Sequence, residues 1–277
     1  MGTRRPPDRR LPTHIYVRRR IAVGVGVILA VVLATTLIGR LFGAGGDALL
    51  DTTTLATPTT TTIPAPPPCT TGDLVISEDP ATAWATVVVD TARRLPATYA
   101  PDDLVPAADA GFAVGEGVLV RSFLIADLRA LRQAAADNGT PVTMLAAYRS
   151  FDQQQQILDL RIAEFGEDEA LRRAARAGHS EHQLGTTVDL TSEGLTDVDQ
   201  AWGASPTGEW VATNAHRFGF IVTYPEGAEA LTCYTYEPWH LRYVGRNLAT
   251  EVTASGLTLR EYLYAFHPPL GVTGPEG

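Results

Sequence analysis

From Ile21 to Ile38 the chain carries no charged residue, and Arg18, Arg19 and Arg20 stand directly before that run. Roughly 18–22 apolar residues suffice to cross a bilayer as a helix. Arginines crowded on one side of such a helix hold that side in the cytoplasm. This predicts a basic cytoplasmic tail at 1–20, a transmembrane anchor at 21–43, and an extracytoplasmic remainder. A cleaved signal peptide is the alternative. The run is long for one, and no Ala-x-Ala site follows it. A buried core helix would leave the arginine cluster without a reason.

Residues 51–68 read DTTTLATPTTTTIPAPPP. A Thr/Pro tract has little apolar surface to bury and stays extended. Residues 44–78 are therefore expected to be a flexible stalk. The folded domain is expected at 79–268, with a short tail at 269–277. Charge separates these parts. Residues 1–50 hold eight arginines against two acidic residues, and the rest holds fourteen arginines against twenty-nine. There is no lysine. A body this acidic excludes a nucleic-acid binder, which needs a basic surface to release counterions.

Within the domain, apolar periodicity predicts helices over Ala81–Leu95, Arg121–Asn138, Asp152–Phe165, Asp168–Ala177, Glu209–Phe218 and Leu257–Phe266. Short apolar runs predict strands at Val142–Ala147, Thr186–Thr191, Phe220–Tyr224 and Trp239–Val244. Strands and helices do not alternate regularly. That points to an α+β domain, with a small, mainly antiparallel sheet flanked by helices. Cys69 and Cys233 are the two cysteines. Outside the cell they can form a disulfide that ties the stalk's end to the domain; two unpaired thiols are the other reading.

Two segments carry candidate chemistry: His179-Ser-Glu-His-Gln-Leu-Gly-Thr-Thr-Val-Asp189 and Glu237-Pro-Trp-His240. Catalytic zinc sites use three protein ligands and keep a fourth position open. A separate carboxylate can then serve as general base. His182, Asp189 and His240 are candidate ligands, and Glu237 the base. His182 and Asp189 are seven residues apart, so one straight strand would put them on opposite faces. Gly185 allows a turn between them. Glu237 and His240 would share a helix face, but Pro238 argues against a helix and for a bulge or strand start. Spacing alone does not establish a site. His182 read singly is a surface or hydrogen-bonded histidine, and Asp189 a capped buried aspartate.

The segments SEHQLGTTVDL and EPWHLRYVG, with Ala147-Tyr-Arg-Ser150 and Gln154 upstream, resemble the D-alanyl-D-alanine carboxypeptidases and dipeptidases of the VanY and VanX type. The resemblance covers residues ~80 to 266 and keeps the family's segment order. It implies one zinc ion per domain, held by His182, Asp189 and His240. It implies Glu237 as catalytic base and Arg149 as the residue that polarises the scissile carbonyl. Ser150, Gln154, Ser180 and Trp239 would line the substrate pocket. The implied fold is shared with the hedgehog signalling domain, and the implied partners are peptidoglycan stem peptides. An L,D-carboxypeptidase or endopeptidase of the same fold would use the same zinc and base. A non-catalytic, zinc-stabilised wall-peptide binder is the rival from another class, and a spare base argues against it. His179 departs from many relatives, and a solvent-exposed side chain is expected there.

Overall fold

The computed structural model describes residues 63, 65–115 and 117–270. The expected tail at 1–20, the anchor at 21–43 and most of the stalk lie outside them. Among the described residues, no helix is long and apolar enough to cross a membrane.

In chain order the elements are β1 (Leu74–Val75), β2 (Arg93–Arg94), β3 (Leu104–Pro106), β4 (Leu119–Arg121) and α1 (Ile125–Asp137). Then come β5 (Val142–Ala146), α2 (Phe151–Phe165), α3 (Glu167–Arg173), β6 (Thr187–Ser192) and α4 (Pro206–Asn214). The chain continues through β7 (Phe220–Tyr224), α5 (Glu229–Thr232), β8 (Glu237–Tyr243), α6 (Arg246–Ser255) and α7 (Leu259–Phe266). Four strands form the central sheet in the order β5-β6-β8-β7. Every neighbouring pair is antiparallel. The α+β expectation with a small antiparallel sheet therefore holds for the domain.

The sheet sorts its residues by alternation. Val188 and Leu190 of β6, Leu241 of β8 and Phe220 of β7 are fully buried in one cluster. Leu128, Leu131 and Ala135 of α1 join them, at the spacing that gives a helix one apolar stripe. Each such leucine contributes roughly 2 kcal/mol through burial. On the other face, Ile221 packs with Val252 of α6 and with Leu259 and Leu263 of α7. The polar residues between, Asp189, His240 and Arg242, are left for the site.

Several elements differ from the sequence reading. Ala81–Leu95 is not a helix but a string of turns ending in β2. Val87 and Val89 pack with Leu95 and Leu184, while Val88 packs against α6 and α7. Consecutive β-branched residues buried in two directions suit an extended chain, not one helical stripe. Arg121 belongs to β4 and not to the following helix; its guanidinium is paired with Asp103 at 2.7 Å. The helix expected over Asp168–Ala177 stops at Arg173, where Ala174 turns extended. The helix α6 had no sequence counterpart. The stalk expected to reach residue 78 ends earlier, since Gly72, Leu74 and Ile76 bond to Thr91, Ala92 and Arg94. Cys69 and Cys233 form a disulfide across 164 residues, with Cα atoms 5.3 Å apart.

Candidate active site

Antiparallel pairing of β6 and β8 sets Asp189 directly opposite His240. Their flanking residues, Val188 and Leu241, are also partners and point into the core. Opposed residues on one sheet face have side chains in contact. His240 Nδ1 lies 3.5 Å from Asp189 Oδ1. A bulge in β5 between Met144 and Ala146 sits beside Asp189, a common device next to functional sites.

His182 arrives from a 3₁₀ turn, Glu181–Leu184, that Ser180 caps by accepting from the His182 backbone N–H. Gly185 then reverses the chain at φ 71°, in the left-handed region. A Cβ there would press on Arg121, Leu104 and Pro101 at 3.0–3.1 Å, so both conformation and space require glycine. The expected turn between His182 and Asp189 is present, and His182 Nε2 reaches Asp189 Oδ1 at 3.4 Å.

The second ring nitrogen of each histidine is occupied. His182 Nδ1 donates to the Ala147 carbonyl oxygen at 2.6 Å. A carbonyl can only accept, so the proton sits on Nδ1 and the lone pair on Nε2. His240 Nε2 donates to Glu181 Oε2 at 3.0 Å, which leaves the Nδ1 lone pair towards Asp189. His182 Nε2 and Asp189 Oδ1 are buried without a hydrogen-bond partner. One ligand atom from each of His182, Asp189 and His240 lies within 4.8 Å of the others. Unsatisfied lone pairs turned towards each other suit a cation, and two imidazoles with one carboxylate suit zinc. The triad fits the metal that the sequence resemblance implied.

Glu181 is the residue the sequence reading passed over. It lies inside the quoted motif, yet nothing in the motif reveals its partner. Its other oxygen accepts from Arg242 Nη1 at 2.8 Å, and both side chains are buried. Arg242 also donates to the carbonyls of Trp84 and Val87. Burial pushes the Glu181 carboxyl up, but Arg242 and His240 together outweigh it and hold the carboxyl near 2. Tyr224 packs its ring 4.6 Å from His240, and Tyr234 lies 5.1 Å from Tyr224.

Glu237 and Arg149 face the triad in a cavity of about 230 Å³ that Gln154, Ser180, Tyr224, Tyr234 and Trp239 also line. Glu237 begins β8, where a register shift against β7 accommodates Pro238. Its Oε2 is 3.6 Å from His240 Nδ1. Burial pushes the Glu237 carboxyl up to about 7, against the pull of His240. A cation at the triad would draw it back towards the carboxylate form. Arg149 follows β5, and its backbone N–H bonds the His182 carbonyl at 3.2 Å. Burial disfavours its charge, while Asp189 and Glu237 favour it. Its buried Nε has no partner.

Other expectations need correction. Ser150 does not line the cavity; it caps α2 in a reciprocal pair with Gln153. Its position after Tyr148-Arg149 comes from that helix start. Gln154 lines the cavity but also donates to the Ala175 carbonyl at 2.7 Å. His179, expected at the surface, is 1% exposed, and its Nδ1 lies 2.7 Å from the Asp90 carbonyl.

Residues 118–246 match the sequence model of the VanY family, described as D-alanyl-D-alanine carboxypeptidase. A VanY D,D-pentapeptidase from a VanB-type vancomycin-resistance cassette, solved in complex with Zn(II), is 31% identical. That match covers 65% of this chain and 99% of the solved one, with a TM-score of 0.56. The chain belongs to the VanY family. The family match spans the triad, Arg149 and Glu237. A D-alanyl-D-alanine carboxypeptidase of Enterococcus faecalis is 32% identical over 189 residues, covering 65% of this chain and 66% of the relative. The Bacillus subtilis protein YodJ is 37% identical over 179 residues, covering 63% and 65%. The chain thus spans just under two thirds of the length of these curated VanY-type relatives. The LD-carboxypeptidase LdcB is 33% identical with a TM-score of 0.60, covering 70% of this chain and 94% of that one.

Proposed function

We propose that this chain is a zinc-dependent D-alanyl-D-alanine carboxypeptidase that removes the terminal D-alanine of peptidoglycan stem peptides. The observation that carries the reading is the convergence of His182, Asp189 and His240 beside an independent carboxylate, Glu237, and a buried guanidinium, Arg149. A site that only stabilised the fold would need neither of the last two.

His182 Nε2, His240 Nδ1 and one oxygen of Asp189 would hold the zinc. Zinc bound there supplies Lewis-acid chemistry, acidifying water and polarising a carbonyl oxygen. Glu237 takes a proton from the water as its oxygen adds to the scissile carbonyl carbon. Arg149 faces the negative charge that grows on the former carbonyl oxygen, an interaction worth about 3 kcal/mol in a dry site. Glu237 then returns the proton to the amine as the C–N bond breaks, releasing D-alanine. Glu181 keeps the His240 tautomer fixed through Nε2, and the Tyr224 ring packs beside the imidazole.

We also place the domain outside the cell, held by the segment 21–43. The Cys69–Cys233 disulfide supports an oxidising compartment. The likeness to LdcB favours a second reading, cleavage after an L-residue with the same zinc and base. The test is mass spectrometry of the zinc-loaded full chain with a pentapeptide ending in D-Ala-D-Ala. Loss of one D-alanine, abolished by chelator and by Glu237→Gln, is expected. Release only from a tetrapeptide with a single terminal D-alanine would replace this reading with the L,D one. No release from either peptide would sink both.

A further inference from the structure

Beyond the triad the cavity opens into a second, larger trough of about 540 Å³. The two share Glu237 and Trp239 as floor, and Arg161 and Arg173 as one wall. Arg161 is on α2, two turns beyond Gln154, and Arg173 ends α3. Both guanidinium groups lie over the ring of Phe165, at 5.9 and 5.0 Å from its centroid. Contact with one aromatic ring places both in the same neighbourhood. Asp197 and Asp199 also line the trough. Both aspartates accept from backbone N–H groups in their own loop.

The trough is thus lined by arginines from the helices and by aspartates from a loop. A carboxylate bound there is drawn to the arginines and repelled by the aspartates. Arg161 pairs with Glu164 at 2.9 Å and Arg173 with Glu169 at 2.6 Å, but each arginine side chain is half exposed. Guanidinium groups have five donors each, so both retain capacity for a ligand. A carboxypeptidase on a polymer needs a closed end for the residue it releases and an open end for the chain it keeps. The smaller cavity around Arg149, Gln154 and Ser180 suits the first, and the trough suits the second.

Resting on the carboxypeptidase reading for this orientation, we infer that Arg161 and Arg173 form a binding site for a free carboxylate on the acyl side of the scissile bond. The site makes the protein select acidic peptides over their carboxamide counterparts. Two half-exposed ion pairs support roughly fivefold discrimination, falling as salt rises.

The test is calorimetric binding to the zinc-loaded full chain carrying Glu237→Gln, which separates binding from turnover. The probes are L-Ala-γ-D-Glu-L-Lys-D-Ala-D-Ala and the same peptide with the glutamate carboxylate converted to carboxamide. The acid peptide is expected to bind about fivefold tighter. Adding Arg161→Gln and Arg173→Gln should bring the ratio close to one. Both positions are half exposed, so thermal unfolding should move little, and a circular-dichroism spectrum checks the fold. A preserved ratio in the variant, equal affinities in the parent, or no binding of either peptide would overturn the inference. Arginine-dependent affinity that disappears when the terminal carboxyl is amidated would also overturn it, moving the arginines to the leaving side. Preserved discrimination with no turnover by the wild-type chain would sink the proposed activity and leave this site standing.

Discussion

Replacing Glu181 by Gln tests the deepest claim about the site, that a buried carboxylate sets which nitrogen of His240 faces Asp189. Glu181 uses one oxygen for His240 Nε2 at 3.0 Å and the other for Arg242 at 2.8 Å. A glutamine keeps only one acceptor. If its oxygen stays with Arg242, its NH₂ meets His240 Nε2, and two donors face each other. His240 relieves this by moving its proton to Nδ1, the nitrogen needed for zinc. If the amide turns round, Arg242 faces a donor instead; in either orientation Arg242, 1% exposed, loses its counter-ion. Loss of a partner that orients a ligating histidine typically costs 10–100-fold in metal affinity, about 1.4–2.8 kcal/mol. Breaking the buried pair adds a stability loss of about 3–5 kcal/mol. In a domain of this size that corresponds to a fall in Tm of roughly 6–20 °C. Zinc affinity should be measured at low temperature by competition with a chromophoric chelator, and Tm on the metal-free protein. An affinity within twofold of wild type, in a variant that still folds, would refute the claim that Glu181 sets the tautomer.

Arg149→Gln should lower kcat by about 10²-fold or more with little change in zinc affinity, measured by steady-state kinetics beside the same competition assay. An equal loss in a substrate-binding constant alone would remove its proposed part in turnover. Cys69→Ser with Cys233→Ser should lower the unfolding free energy by about 2–4 kcal/mol in urea titration, because the bridge closes a loop of 164 residues. His179 has its pKa lowered, by burial first and then by Arg176, despite the Asp90 carbonyl and Asp73. The unfolded chain therefore binds the proton more readily, so the His179 contribution is present above about pH 6.5 and declines as pH falls below it. Urea midpoints between pH 7 and 5 should drop more steeply in the wild type than in His179→Gln; parallel curves would exclude His179 as the cause.

Short, punctuated segments were readable from the sequence because local rules govern them. Val142–Ala146, Phe151–Phe165 and Phe220–Tyr224 appeared within a residue of their expected limits. Gly185 announced the turn that separates His182 from Asp189, since only a left-handed residue reverses the chain there. Ala81–Leu95 misled because its valines are shared between two clusters that no local pattern describes. Ser150 and His179 misled in opposite senses. A serine beside Arg149 was needed as a helix cap, and a histidine in a polar run was buried beside a distant carbonyl.

The residues proposed as ligands, base and polarising arginine were all available as residue types at fixed places in the chain. What they do together was decided elsewhere. Antiparallel register, not spacing, set Asp189 against His240. The partner of Glu181 is 61 residues away, and the arginine wall joins the ends of two helices to the mouth of the cavity. Chain-local physics chooses turns, caps and stripes. Contacts between distant segments depend on how the sheet and helices pack, and that packing alone brings the site's charges together.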